Sequence, residues 1–421
     1  MGIRTRTAIA VGLAVLACAG TATAAEVTRV ISARSIRKLD LDLHISLAWQ
    51  HLSSTASVRR EYVQPTGLVV INDARYHQSR DTLQMRADLA LVRDLSVFLS
   101  GSLVVADDRT LDFDRRGHCA VVSCIETLLR DGFLPGDPTT SWGIDAENGG
   151  RFQPPSSRLF RGPTRSGLEY LGLGLRWAAM NQARDRVKPT WVLGMEVRFA
   201  VTGDQRFDPG NPGANRSVGP GYHQLVLSSI FSQRFGAFEP YMGGWFMQPT
   251  LTSSSVYKNG GADPYDSAQR RMGGDVGIEG TVWEDPARHA RVAFEAAGHV
   301  EYRLEGLAQS ELWEIFAGDP RCASDATRCR PGIDVDANGN AAPQKGVVRS
   351  PAYGVFGGDA GVSAHFGRYA RLRSLFGMRF AEGRFLTDGG SGNAVYDVPG
   401  RRFRIEEAYS WFVLVDATAT F

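Results

Sequence analysis

The stretch Lys38 to Gln50, KLDLDLHISLAWQ, sets Leu39, Leu41, Leu43, Ile45, Leu47 and Trp49 on one side of an extended chain. Lys38, Asp40, Asp42, His44 and Ser46 fall on the other. Period two is the signature of a β-strand. A soluble sandwich has no need of so complete an apolar row opposite so charged a one. The pattern recurs: Leu83, Met85, Ala87, Leu89 and Leu91; Leu95, Val97, Leu99, Leu103 and Val105; Leu171, Leu173, Leu175 and Trp177; Trp191, Leu193, Met195, Val197 and Phe199. Similar runs continue to the last residue, giving twelve strands in the 421-residue chain. Helix-like apolar spacing is scarce, and no uninterrupted apolar run is long enough for a membrane helix, which needs about 18 residues or more.

Connection lengths constrain the fold further. After strands 2, 4, 6, 8 and 10 the links are short: Arg93-Asp94, NQARDRVK, FG, EDPARH and GRYA. After strands 1, 3, 5, 7, 9 and 11 they are long, about 30, 60, 18, 20, 45 and 20 residues, the asymmetry of a transmembrane β-barrel with short periplasmic turns and long extracellular loops. In lipid every backbone N–H and C=O must find a partner, so strand 12 must close against strand 1. The expected fold is an all-β transmembrane antiparallel barrel spanning 38–421, with short helices in its long loops. Trp49, Trp245, Tyr302 and Trp411 would form one aromatic girdle, and Trp177, Trp191 and Phe421 the other.

The final strand reads Tyr409, Trp411, Val413, Val415, Ala417, Ala419 and Phe421 at alternate positions. A terminal Phe with apolar residues at alternate positions before it resembles the assembly signal of bacterial outer-membrane β-barrel proteins. The resemblance is porin-like in architecture and identifies no subfamily. It implies an outer-membrane location, contact with outer-membrane lipid, and recognition of Phe421 by the barrel-assembly machinery.

The N-terminus fits an envelope protein. Arg4 and Arg6 precede the apolar AIAVGLAVLACAG and a small-residue cleavage site at Ala22-Thr23-Ala24, so residues 1–25 read as a signal peptide. Cys18 leaves a lipoprotein signal as the rival reading. Residues 26–37 would be a short periplasmic segment. Of the five cysteines, four form two local pairs, Cys119 with Cys124 and Cys322 with Cys329. An oxidising compartment favours disulfides over a metal site.

The inward rows carry both signs of charge, and the candidate lumen-lining residues are Asp40, Asp42, His44, Arg86, Asp88, Glu196, Arg198, Glu279, Glu295, His299 and Arg379. Two roles compete: a channel for small polar or charged solutes, or a non-conducting barrel with a structural, adhesive or complex-forming role. The formal net charge of +2 gives no nucleic-acid signal. No enzyme activity and no cofactor are expected. The outward Ser229 and Ser374 lack a base: His223 is six residues from Ser229 on one strand, some 20 Å away. His118 and the Asp107-Asp108 pair read as solvated loop residues. DVDANGN at Asp334 to Asn340 resembles half a calcium loop, but Lys345 stands where a bidentate Glu belongs. Two loop segments, IETLLRDGF and AQSELWEIFAG, read as short amphipathic helices. Leu312, Trp313, Ile315 and Phe316 are too apolar for water, and would fold over the mouth or bind a surface partner.

Overall fold

In a computed structural model the described residues are 43–92, 94–114, 144–150, 152, 158–207, 215–252, 255, 257, 267–317, 347–367, 369–386 and 402–421. The barrel strands are β1 (Leu43–Gln64), β2 (Gly67–Val92), β3 (Leu95–Phe113), β4 (Arg165–Met180), β5 (Thr190–Ala200) and β6 (Tyr222–Ser232). They continue with β7 (Phe238–Leu251), β8 (Arg271–Asp285), β9 (Ala290–Arg303), β10 (Tyr353–Phe366), β11 (Ala370–Ala381) and β12 (Phe403–Thr420). Each pairs antiparallel with its sequence neighbour, and β12 pairs with β1 from His44–Thr420 to Arg60–Phe403. The seam runs to the last residue: the Phe421 N–H donates to Leu43 O at 2.9 Å, and Leu43 N–H donates back at 3.4 Å. The terminal residue thus completes the backbone ladder that lipid demands.

Side-chain exposure alternates as the sequence requires. On β3, Phe98 is 4% exposed and its neighbour Leu99 61%. Ile45, Leu47, Trp49, Leu173, Val276, Val362 and Phe376 are all exposed to the outside. In water such a belt would be an aggregation surface; in hydrocarbon it costs nothing. Trp177, Tyr302 and Phe421 are exposed members of the girdles. Trp191 stacks on Phe231 with ring centroids 5.2 Å apart. Trp245 departs from the expectation. It shares its parity with the buried Tyr241 and Met247, and its indole lies over Gly273, where a Cβ would sit 2.6 Å from the ring. It fills the interior across a glycine rather than joining a girdle.

The turns at one end are residues 93–94, 181–189, 233–237, 286–289 and 367–369. Asp94 takes positive φ (62°) in the two-residue turn, where its carboxylate accepts from Asn181 Nδ2 at 2.8 Å. At the other end one expected loop is absent. In place of about 30 loose residues after β1, β1 and β2 run on as a ladder of 22 and 26 residues joined at 65–66. Only about 9–11 residues are needed to cross the bilayer. The remainder projects beyond it, because alternation persists with its chemistry reversed. The inward side of β1 changes from His44, Ser46 and Gln50 to Ala56 and Val58, and β2 supplies Ala74 and Tyr76, all four buried. They form an apolar core with Leu111, Phe160, Leu312, Trp313, Phe403 and Ile405 at the loop end of the barrel.

Candidate functional site

The inward rows within the bilayer are charged and largely paired. Arg86 donates through Nε and Nη2 to Asp88, both at 2.7 Å, while its guanidinium lies 3.6 Å from the Phe98 ring centroid. Glu196 accepts from Ser100 Oγ at 2.6 Å and Arg198 Nη2 at 2.9 Å. Glu279 and Glu295 stand directly opposite each other in the β8–β9 register. Like charges so placed repel, and each is supplied with its own arginine: Arg291 reaches Glu279 at 2.6 Å, and Arg373 reaches Glu295 at 2.5 and 2.8 Å. His299 bridges Asp275 (2.6 Å) and Asp359 with its two ring nitrogens. His44 is buried on the inward row. Arg379 lies 5.3 Å over the Phe412 ring and holds no ion pair among the described residues. Desolvation roughly cancels the attraction in such buried pairs, so they specify which rows face each other more than they stabilise.

Above these rows the segment before β10 turns into the barrel mouth. The short helix Trp313–Ala317 puts Leu312, Trp313 and Ile315 into the apolar core, with Trp313 only 1% exposed. Ser310 Oγ accepts from the Leu312 N–H at 3.3 Å, as an N-terminal cap. Arg165, fully buried at the start of β4, anchors the helix. Its Nε and Nη2 donate to Glu314 Oε1 at 3.0 and 2.8 Å. The rest of the guanidinium is satisfied by Ser217 O at 3.1 Å and Arg206 O at 3.0 Å. The Arg165 guanidinium also lies 4.8 Å from the Trp313 ring. Gly162 makes room for this carboxylate, since a Cβ there would fall 2.8 Å from Glu314 Oε2. The apolar segment around Trp313 therefore occupies the mouth as a plug.

A cavity of about 300 Å³ lies beneath, bounded by residues of β2, β3, β4, β6, β8, β9 and β10 and by the plug's own Ser310 and Glu311. Five arginines line it: Arg80, Arg109, Arg271, Arg303 and Arg384. Tyr257 closes one side, edge-on to Tyr222 with centroids 5.5 Å apart. Burial, with Tyr222 beside it, pushes the Tyr257 phenol above its usual range, so it stays a neutral hydroxyl.

Several expected residues are placed differently. Asp107 is fully buried rather than solvated: it accepts from Gln78 Nε2 at 2.6 Å and pairs with Arg109 at 2.9 Å. The cause is the strand extension together with a register shift at Val105, which moves the inward row of β3 from Phe98, Ser102 and Val104 to Asp107, Leu111 and Phe113. Ser229 accepts from the Trp191 indole N–H at 3.0 Å, and His223 Nδ1 accepts from the Ala200 N–H at 3.1 Å, so neither is turned toward the other. Asp40, Asp42, His118, Phe316's side chain, the four paired cysteines, the IETLLRDGF segment and the 334–340 stretch lie outside the described residues. Sequence reasoning missed Arg165, Glu314 and Arg384. Arg271 had a signal, since it shares the parity of Asp275 and Glu279 on β8. Arg165 had none, because nothing local tells a buried anchor from a solvated arginine.

No protein-family model matches the chain, and no curated protein sequence does. Among solved structures, an outer membrane channel from Pseudomonas putida F1 aligns over 93% of this chain and 100% of its own, at 10% identity and a TM-score of 0.40. A Pseudomonas aeruginosa FadL homologue aligns over 90% of each chain, at 9% identity and a TM-score of 0.33. The outer membrane protease OmpT from Escherichia coli aligns over 92% of this chain and 100% of its own, at 8% identity and a TM-score of 0.28. The chain's own geometry carries the assignment. A closed antiparallel barrel of twelve strands, apolar outside and charged within, is a transmembrane β-barrel of the bacterial outer membrane.

Proposed function

We propose that the protein is a channel for small polar or charged solutes, shut at its outer mouth by the segment around Trp313. One observation carries this reading: a polar cavity is preserved between the plug and the charged rows, where a purely structural barrel would fill the space with packed side chains. The inferred path is lined by Asp40, Asp42, His44, Arg86, Asp88, Glu196, Arg198, Glu279, Glu295, His299 and Arg379. In this reading residues 1–25 are a removed signal peptide, and Cys119–Cys124 and Cys322–Cys329 are disulfides that stiffen the surface loops. No catalytic role is assigned. Planar-bilayer recording tests the proposal. Wild-type protein should conduct little, and deletion of residues 308–346 should leave a folded barrel with raised conductance. The pairing of the interior charges supports a second reading, a non-conducting structural or adhesive barrel. A folded but silent deletion variant would favour it.

A further inference from the structure

The cavity beneath the plug has an imbalance of charge and of hydrogen-bond donors. Arg80 pairs with Glu169 at 2.8 Å, Arg109 with Asp107 at 2.9 Å and Arg303 with Glu301 at 2.7 Å, while Arg384 pairs with Glu311. Arg271 has no ion pair among the described residues, and its Nε is buried without an acceptor. Three more buried donors are left over on cavity-lining side chains: Gln269 Nε2, Arg384 Nη1 and Arg109 Nε. Gln269 is only 5% exposed. Tyr353 accepts from Arg303 Nη1 at 2.8 Å, which leaves its own hydroxyl hydrogen free to donate. Leaving so many buried donors unmade is costly unless something that accepts is bound there. One acceptor on the protein side, Glu311 Oε2, is also spare, far too few to balance them. Leu307, Val348 and Leu386 add an apolar patch to the lining.

We propose that this cavity binds a small organic carboxylate, its charge on Arg271 and its apolar body against Leu307, Val348 and Leu386. Arg271 gives the charge-assisted hydrogen bond, with Gln269 and Arg384 as further donors. The volume sits at the lower end for ligand pockets, so a molecule of a few carbons fits. The inference rests on the channel reading in that the site would lie on the solute path, yet binding is measured without any conductance.

The experiment is isothermal titration of the full refolded barrel in detergent with butyrate, with butyramide as the neutral isostere and inorganic phosphate as the bare anion. Butyrate should bind saturably and butyramide should not. Arg271→Gln should weaken butyrate by about tenfold or more, the loss of one charge-assisted bond. Gln269→Leu, which removes a donor but no charge, should weaken it by less. Heat-modifiable migration on a gel confirms that each variant is folded. Equal affinity for butyrate and butyramide, or for wild type and a folded Arg271→Gln, would overturn the proposal. Phosphate binding in place of butyrate would overturn the carboxylate assignment and leave an anion site of another kind. Butyrate binding by a barrel that never conducts would sink the channel reading alone, whereas conduction without any anion binding would sink the site alone.

Discussion

Replacing Arg165 by alanine should unseat the plug. Two terms hold and oppose it before Arg165 is counted. Burying Leu312, Trp313 and Ile315 contributes about 1.5–3 kcal/mol each, roughly 4–9 kcal/mol together. Ordering the backbone of the helix Trp313–Ala317 costs about 1–2 kcal/mol per residue, roughly 5–10 kcal/mol. These nearly cancel, so the Arg165–Glu314 contact decides. Removing one partner of a buried pair costs about 3–5 kcal/mol, because the other charge is left without compensation. That is a shift of roughly two to four powers of ten in the ratio of seated to unseated plug. Loss of the 4.8 Å contact with the Trp313 ring acts in the same direction. In planar bilayers Arg165→Ala and Glu314→Gln should therefore both raise open probability strongly. The double variant Arg165→Leu with Glu314→Leu should close again, since an apolar pair of similar volume is close to neutral. Gel migration before and after boiling checks that each barrel is intact. If Arg165→Ala conducts like wild type while deletion of residues 308–346 conducts freely, the anchor has been assigned to the wrong contact.

The membrane belt makes a separate claim. Leu43 pairs with Phe421 at the turn end, so it marks the rim, and Leu47 is the better mid-bilayer probe. Leu47→Arg should destabilise by about 2–4 kcal/mol in a urea titration in lipid, and the inward Ser46→Asn should be mild; equal effects would mean the faces are inverted. Phe421→Asp should leave the chain in the periplasm for proteolysis, whereas normal outer-membrane yield would show that the terminal strand is recognised by some other feature. Thiol labelling of protein taken from the outer membrane should find Cys119, Cys124, Cys322 and Cys329 unreactive until reduced. Circular dichroism in detergent should be dominated by β-structure, and a helix-rich spectrum would end the barrel assignment.

The barrel was legible because its determinants are local and periodic. The outward rows from Leu43 to Trp49 and from Tyr409 to Phe421 could be read in steps of two, and both are found on the seam between β1 and β12. The charged partners could be placed on the inward face by the same parity, though not matched to one another. Arg373 stands opposite Asp416 in the register, yet bonds Glu295 across β10, and Asp416 is taken by Arg371 at 2.5 Å. Such choices depend on barrel diameter and strand tilt, which no single strand encodes. Trp245 was misplaced for a related reason. Aromatic residues near strand ends serve a girdle or the interior according to parity, and the three adjacent positions Gly243, Gly244 and Trp245 blur that parity in the sequence.

The first long connection shows where the rule reverses. In Ser54 to Tyr62 the small and apolar Ala56 and Val58 take the inward side, but register shifts at Thr55/Ser57 and Val58/Arg59 interrupt the ladders, and Ser57, Arg60 and Glu61 are buried as well. Read as a membrane strand this pattern fails, and the sequence points to a loop. Read as a strand with Ala56 and Val58 against apolar protein, and with Ser57 and Glu61 bonded to Glu407 and Arg402, it fits. The level at which the interior row passes from Gln50 to Ala56 marks where a polar interior gives way to a packed apolar core. A plug there needs an apolar face toward that core, which Leu312, Trp313 and Ile315 supply. It also needs a polar face toward the cavity, which Ser310 and Glu311 supply. The reversal on β1 and β2 and the amphipathic segment before β10 are thus two halves of one arrangement, far apart in the chain.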